Sequence, residues 1–293
     1  MLDSTKPVVD PGATSIATLL EAGERQLTKT SPSARLDAEV LLCHCLNKPR
    51  SFLRTWPDHR PDSEQTNEFR QMLALRSQGH PVAYLLGLRE FWSREFIVTP
   101  DVLIPRPDSE LLVELSLVWL ARDRAAKILD LGTGSGILAI TLAAERPLST
   151  VLACDNSSPA LAVAERNAER LAVDNVRFVV SDWFAQVTER DFDLILSNPP
   201  YIAAEDPHLQ QGDVRFEPRS ALVSQKQGLS DIESIAEQAG RHLKPGGRLL
   251  VEHGYEQAAP VQAIFDNHGY RAVATHRDLA GNPRVTSGLW QPL

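Results

Sequence analysis

Between Thr14 and Thr30 the apolar residues Ile16, Leu19, Leu20 and Leu27 recur at helical spacing. From Ser33 to Asn47, Leu36, Val40 and Leu41 share one face behind Ser33, a residue suited to capping. A further helical stretch runs from about Ser63 to Gln78 and is closed by Gly79-His80-Pro81. Residues 1–87 thus read as a helical domain behind a loose, Pro- and Gly-bearing leader over 1–13. Nothing in it is arranged for chemistry, so its role is either partner recognition or a passive cover.

At residue 88 the pattern changes. Phe91, Trp92, Phe96, Ile97, Val98, Leu103 and Ile104, with Thr99-Pro100-Asp101 among them, predict a β-hairpin linker over 88–104. Pro105-Arg106-Pro107-Asp108-Ser109-Glu110 follows, with Asp108 or Ser109 as the cap of an apolar helix reaching about Arg122. From there strands and helices alternate. Strands are expected at Lys127 to Leu131, Thr150 to Asp155, Val176 to Ser181, Phe192 to Leu196 and Arg248 to Glu252, and helices at Ile137 to Arg146, Pro159 to Ala172 and Leu229 to Leu243. That alternation predicts an α/β fold with a doubly wound, mostly parallel sheet over residues 105–293. Two late strands, Ala272 to His276 and Val285 to Trp290, would form an antiparallel edge and bring the sheet to seven.

Composition narrows the class without naming a function. With 43% hydrophobic and 23% charged residues in 293, the chain has an ordinary globular make-up, long enough for two domains. Thirty basic against thirty-eight acidic residues leave a net charge of -8. Residues 1–88 carry ten of each, so the imbalance belongs to the second part. An acidic second part is a poor footprint for a phosphate backbone, so no direct nucleic acid substrate is expected. Cys43, Cys45 and Cys154 lack the spacing of a zinc site and read as reduced core thiols, and the histidines show no ligand spacing, so no metal is expected. The start lacks an apolar signal core and no run of about eighteen apolar residues occurs, which reads as a soluble, cytoplasmic protein with no membrane partner.

The chemistry gathers at strand ends. Phe192 to Leu196 is a short buried run stopped by Ser197-Asn198-Pro199-Pro200-Tyr201. In open α/β sheets ligands lie beyond the carboxyl ends of the strands, so this stiff corner faces one. The Asn198 side-chain oxygen and the carbonyl of Pro199 are acceptors, and neither Pro199 nor Pro200 has an N–H to compete. Two acceptors and the aromatic face of Tyr201 make a receptor for a planar group bearing NH2. Alone, the same residues make an ordinary Pro-rich turn.

Asp130-Leu131-Gly132-Thr133-Gly134-Ser135-Gly136 decides between the two. It joins the first strand of the sheet to its first helix, where glycines allow a tight turn and close approach to a ligand. The spacing is not the G-x-G-x-x-G of a dinucleotide fold, and an acid at Asp130 would repel phosphate. A cationic, phosphate-free nucleoside fits better, as in S-adenosylmethionine. Asp155, ending the next strand, can accept both ribose hydroxyls, and Asp182-Trp183, ending the third, can take an adenine amino group and cover its ring. The cofactor set is then Gly132, Thr133, Gly134, Ser135, Gly136, Asp155, Asp182 and Trp183, with Asn198 at its boundary.

These segments resemble the bacterial release-factor glutamine methyltransferases, the PrmC (HemK) family. The resemblance extends through Ile104-Pro105-Arg106-Pro107-Asp108-Ser109-Glu110, Phe216-Glu217-Pro218 and Glu252-His253-Gly254, and through the helical domain. Asn198-Pro199-Pro200-Tyr201 alone is shared with enzymes that methylate adenine amines in DNA and RNA; the Ile104-Pro105-Arg106-Pro107 segment with the helical domain is more specific. Ser109 and Ser135 stand where threonine is also common in the family. The resemblance implies a class I, Rossmann-like methyltransferase domain using S-adenosylmethionine and leaving S-adenosylhomocysteine. It implies a substrate, the glutamine of the Gly-Gly-Gln motif in class I peptide chain release factors, and a product, N5-methylglutamine. Asn198, Pro199 and Tyr201 would be catalytic, and these with Pro200 would hold the substrate. Arg106 and Glu110 are placed near the pocket with no chemical step for either.

Two rivals follow from the same residues. An adenine N6-methyltransferase would use the same clamp, against the acidic charge of the second part. A non-catalytic S-adenosylmethionine sensor would keep the nucleoside site but has no need of an amine clamp.

Overall fold

In the computed structural model, residues 14–292 are described. The chain divides into two compact units, one ending at Leu86 and the other beginning at Gly87. The reading of 1–13 as a loose leader lies outside the described residues.

The first unit is helical: α1 Ile16–Leu27, α2 Ala34–Leu46, α3 Arg50–Thr55, α4 Ser63–Ser77 and α5 Val82–Leu86. Its core joins Ile16, Leu19, Leu20 and Leu27 of α1 to Ala38, Leu41 and Leu42 of α2 and to Phe69 and Leu73 of α4. Helix α2 sits differently from its expected face. Leu36 is exposed, and the buried face runs through Asp37, Ala38, Leu41 and Leu42. The reason is Asp37, a buried acid that accepts from Ser31 Oγ (2.8 Å), Ser33 Oγ (2.9 Å) and Arg76 Nε (2.7 Å). Ser33 therefore spends its hydroxyl on Asp37 and makes no cap bond. Helix α4 has a cap that the hydrophobic spacing does not announce, a capping box between Asp62 and Gln65.

The second unit opens with the hairpin β1 Leu88–Phe91 and β2 Arg94–Ile97, turned by Trp92 and Ser93 at positive φ. Phe91 and Phe96 are buried in the same cluster as the sheet and its helices, so the hairpin is packed into this unit. Helix α6 Glu110–Trp119 leads into β3 Lys127–Leu131, α7 Ile137–Glu145, β4 Thr150–Asp155, α8 Ser158–Arg170, β5 Val176–Val180 and β6 Phe192–Ser197. After a loop of short 3-10 turns come α9 Gln225–Gly228, α10 Ser230–Ala239, β7 Leu243–Glu252, α11 Ala258–Asn267, β8 Arg271–Arg277 and β9 Pro283–Leu289. The seven strands lie in the order β5-β4-β3-β6-β7-β9-β8, with β9 antiparallel to both its neighbours and the rest parallel. The expected sheet and its antiparallel edge are thus both present. The β3 and β6 strands are nearly continuous hydrophobic runs because helices cover both faces.

The short helices α3, α5 and α9 were not expected, and two further elements depart from the sequence reading. Helix α11 was not expected, since Pro260 and two polar ends obscure a short apolar stripe of Val261 and Phe265, both fully buried. Ser109 does not cap α6: its own backbone is already helical and its side chain makes no cap bond. Among the described residues no helix is long and apolar enough to cross a membrane.

Candidate active site

Every strand end named in the sequence reading opens onto one cleft of about 940 Å³, mouth included. Gly132, Thr133, Gly134 and Ser135 after β3, Asp155 at the end of β4, Asp182 and Trp183 after β5, and Asn198 and Pro200 after β6 line it together. The far wall comes from Asp101 to Ser109 before α6 and from Pro218, Ser220 and Ala221.

The glycine loop is tied down from below. Gly132 and Thr133 both donate their backbone N–H to the Cys154 carbonyl at 2.9 Å, fixing the loop over β4. Gly134 donates to Asp155 Oδ2 at 2.9 Å, and Ser157 donates to Oδ1 at the same distance, so both carboxylate oxygens are oriented while keeping lone pairs for a ligand. Burial pushes the Asp155 carboxyl up, and those backbone donors hold it back.

Asp130 does not face the cleft. It is fully buried beneath the loop, where Oδ2 accepts from Thr133 Oγ1 (2.7 Å) and from Ala139 N–H (3.2 Å), stapling the loop to α7. Its other oxygen has no partner. Burial pushes its carboxyl up to about 7, against the pull of Thr133 and Ala139. A buried acid raised in this way contributes stability while protonated, and loses it as pH climbs from the unfolded range near 4 through about 7. Buried His253 and half-buried His276, whose values burial lowers, act in the opposite sense at low pH. The difference between proteins isolates the acid: between pH 5 and 8, Asp130→Asn is expected to flatten the fall in melting temperature of the ligand-free wild type, measured by calorimetry. An equal fall in both would remove Asp130 from the account.

Gly136 is absent from the cleft wall. At φ 82 it precedes α7, and an added Cβ would stand 2.7 Å from Ile140 Cδ1, so its role is packing. Trp183, at φ 46, is held by Ser181 Oγ donating to its carbonyl at 2.8 Å, and its indole lies 3.5 Å from the point a Gly132 Cβ would occupy. The ring therefore walls the cleft beside the loop. Asp182 is exposed at the rim.

At the β6 end, Asn198 Nδ2 donates to Ser109 Oγ at 3.0 Å. Neither Asn198 Oδ1 nor the Pro199 carbonyl accepts a hydrogen bond from any described residue. Pro200 touches the cleft, whereas Pro199 and Tyr201 do not line it. The Tyr201 hydroxyl points behind the corner and donates to Glu252 Oε1 at 3.3 Å. The Tyr201 carbonyl is held by Gln257 Nε2 at 3.0 Å, and Gly228 passes so close that an added Cβ would stand 1.9 Å from it. With Gly228 also at φ 85, Gly228→Ala is expected to cost about 2–5 kcal/mol of stability and to disturb turnover with it. Denaturant unfolding checks this; a loss within 0.5 kcal/mol of zero, the ordinary range for a surface change, would contradict it.

Arg106 and Glu110 acquire structural roles. Arg106 pairs with buried Glu217, whose Oε2 also accepts the Ile104 N–H at 3.0 Å, tying the Pro218 segment to the strap before α6. Burial pushes Glu217 up and the Arg106 charge opposes it. Glu110 Oε1 accepts the Trp92 N–H at 3.0 Å and latches the hairpin turn. Residues the sequence reading left without a role are Glu252, Gln257 and Gly228, of which Glu252 and Gln257 are 51 and 56 positions from Tyr201 and meet it only through the fold. Cys45 and Cys154 are buried free thiols, each pushed up to about 12 by burial.

The charges of the cleft indicate its ligand. Among the described residues its acids are Asp101, Asp155 and Asp182, and its one cation, Arg106, is already paired. Among the described residues no unpaired cation of the cleft awaits a phosphate, whereas a sulfonium, an ammonium and a ribose diol suit these acceptors. S-adenosylmethionine fits the residues present.

Comparison with known proteins agrees at the level of class. Residues 108–214 match the protein-family model "Methyltransferase small domain" and residues 18–87 match "PrmC N-terminal domain". A methyltransferase from Pyrococcus furiosus shares the fold at TM-score 0.51, 19% identity, over 79% of this chain and 100% of its own. A 16S rRNA methyltransferase from Thermus thermophilus, solved with AdoMet and guanosine, does so at 0.52 and 19%, over 70% of this chain and 50% of its own. The chain is an S-adenosylmethionine-dependent methyltransferase of the class I fold.

Its relatives are narrower. The release factor glutamine methyltransferase of Shewanella oneidensis is 50% identical over 95% of this chain and 97% of its own, and that of Pseudomonas aeruginosa 53% over 94% and 99%. That of Escherichia coli is 46% identical over 89% and 94%. The chain belongs to the release factor glutamine methyltransferase family.

Proposed function

We propose that the protein methylates the side-chain amide nitrogen, N5, of the glutamine in the Gly-Gly-Gln motif of class I peptide chain release factors. One observation carries most weight: Asn198 gives its NH2 to Ser109, which leaves Oδ1 as an acceptor on the cleft wall. Family membership supports the same substrate.

S-adenosylmethionine supplies the methyl group, its S–CH3 bond breaking as the N–CH3 bond forms, and leaves S-adenosylhomocysteine. Gly132, Thr133, Gly134, Ser135, Asp155, Asp182 and Trp183 would hold it. An amide nitrogen is weakly nucleophilic because its lone pair is delocalised into the carbonyl. Asn198 Oδ1 and the Pro199 carbonyl, each accepting one N–H, would aim that lone pair and favour the more positive nitrogen of the transition state. Pro200 and the backbone of Tyr201 keep this corner rigid, and the Tyr201 side chain, with its hydroxyl on Glu252, braces it from behind. The methylated nitrogen then sheds one proton to water. The helical unit, which matches the PrmC N-terminal domain and has no cluster of catalytic groups, is read as the part that recognises the release factor.

The test is transfer of labelled methyl to a purified class I release factor, beside a copy lacking the Gly-Gly-Gln glutamine and beside total RNA and DNA. Label on the intact factor alone is expected. Label on nucleic acid alone would move the assignment to an adenine amine.

A further inference from the structure

Behind the Asn198 corner lies a buried polar network whose members do not touch the substrate directly. Ser109 is fully buried just before α6, its N–H on the Arg106 carbonyl at 3.1 Å and its hydroxyl oxygen accepting from Asn198 Nδ2 at 3.0 Å. Glu252, the last residue of β7, is 1% exposed. Its Oε1 takes the Tyr201 hydroxyl, its Oε2 is buried without a hydrogen-bond partner, and the Ser109 hydroxyl faces the same carboxyl.

An asparagine amide has two ends of one shape and opposite polarity, so a neighbour must decide which end faces the cleft. A serine hydroxyl has one proton, and an ionised carboxylate can only accept. While Glu252 is ionised, its carboxylate draws the Ser109 proton. The Ser109 oxygen can then only accept from Asn198, which turns Nδ2 inward and Oδ1 to the cleft. A protonated Glu252 would instead donate to Ser109. Ser109 would then be free to donate to Asn198 Oδ1, leaving an NH2 on the cleft wall against the substrate's own NH2.

We propose that Glu252, acting through Ser109, is the positioning group that fixes the Asn198 amide with its oxygen toward the substrate; this rests on the amide-transfer reading above. The groups facing Glu252 set where the relay switches. Burial pushes it up to about 7, the Ser109 hydroxyl, the Arg284 charge on β9 and the Tyr201 hydroxyl pull it down, and Asp108 beside Ser109 raises it. Arg284 is itself shared with Asp108 (3.2 Å) and Asp278 (3.4 Å). The next residue, His253, is buried between Thr286 Oγ1 and the Gly254 carbonyl, and burial lowers it, so it adds no charge near neutrality.

The test is kcat against pH, at saturating cofactor and release factor, for wild type, Glu252→Gln, Ser109→Ala and Ser109→Thr, with S-adenosylhomocysteine binding by calorimetry. Wild-type kcat is expected to rise through about pH 7 as Glu252 ionises. Glu252→Gln and Ser109→Ala should lose roughly 10²-fold in kcat, as displaced catalytic groups do, with cofactor affinity kept and, for Glu252→Gln, a flat profile. Ser109→Thr keeps the hydroxyl and should keep rate and rise. A purely structural role would lower melting temperature while leaving kcat of the folded protein and its pH profile as in wild type, and that would overturn the relay. Wild-type turnover judges the substrate reading separately. The relay is also read without substrate, from the Asn198 NH2 signals of asparagine-labelled protein: they should shift through the same pH range in wild type and not in Glu252→Gln, and signals that stay fixed in wild type would overturn it.

Discussion

Asn198→Ala is expected to abolish measurable methyl transfer while leaving the cofactor in place. The variant removes the Oδ1 acceptor at the end of β6 and also the donor that Ser109 receives at 3.0 Å. Loss of one preorganised group that acts on the transition state costs on the order of 10²–10³ in kcat. Here orientation of a poor nucleophile carries most of the reaction, and such orientation is worth up to about 7–11 kcal/mol, so the loss should lie at or beyond the top of that range. The ends of β3, β4 and β5, proposed above to hold the cofactor, are untouched. Single-turnover transfer and S-adenosylhomocysteine binding, measured on the same preparation, check both halves. Retained turnover would remove the clamp from the mechanism. Asn198→Asp sharpens the comparison, since it restores acceptors but offers Ser109 no NH2 and adds charge near buried Glu252, and it should stay inactive.

Asp155→Ala should do the reverse. Its carboxylate, ending β4, orients the Gly134 and Ser157 N–H groups and presents its remaining lone pairs to the cleft. Hydrogen bonds to a charged group contribute about 1.5–3 kcal/mol each, so losing two at the ribose is expected to weaken cofactor binding by roughly 10²-fold or more. At saturating cofactor, kcat should change little, because the Asn198 corner stands on a different strand. Calorimetric binding and the split between KM for S-adenosylmethionine and kcat decide it. An unchanged affinity would place the ribose elsewhere in the cleft.

The strand ends were legible because each is a local pattern: a branched apolar run, then a residue that stops it. Asp155, Trp183 and Asn198 come to one cleft because parallel strands β4, the segment after β5, and β6 all finish on the same side of the sheet. What the sequence hid depends on contacts that residue spacing does not announce. Asp130 looks like a ligand-facing acid, yet its carboxylate turns under the loop to Thr133 and Ala139. Ser109 has the composition of a helix cap, yet its hydroxyl is engaged 89 positions away by Asn198. Gly136 belongs to the glycine pattern but is needed for packing against Ile140 and Ala164. Leu36 has helical spacing, but the burial of Asp37 with Arg76 rotates α2 away from it. Helix α11 carries only Val261 and Phe265 as buried anchors, too sparse a stripe to announce a helix. In these cases a specific polar or packing contact, near or far along the chain, or a sparse apolar stripe, outweighed the local pattern.

The position of the transferred methyl tests the central claim most directly. A class I release factor treated with the protein and S-adenosylmethionine is digested, and the Gly-Gly-Gln peptide is fragmented in a mass spectrometer, with acid hydrolysis of the same material. One added methyl on the glutamine side chain, released as methylamine on hydrolysis, is the expected result. A methyl on any other residue, or a Gly-Gly-Gln peptide left unmodified while the protein methylates another substrate, would contradict it.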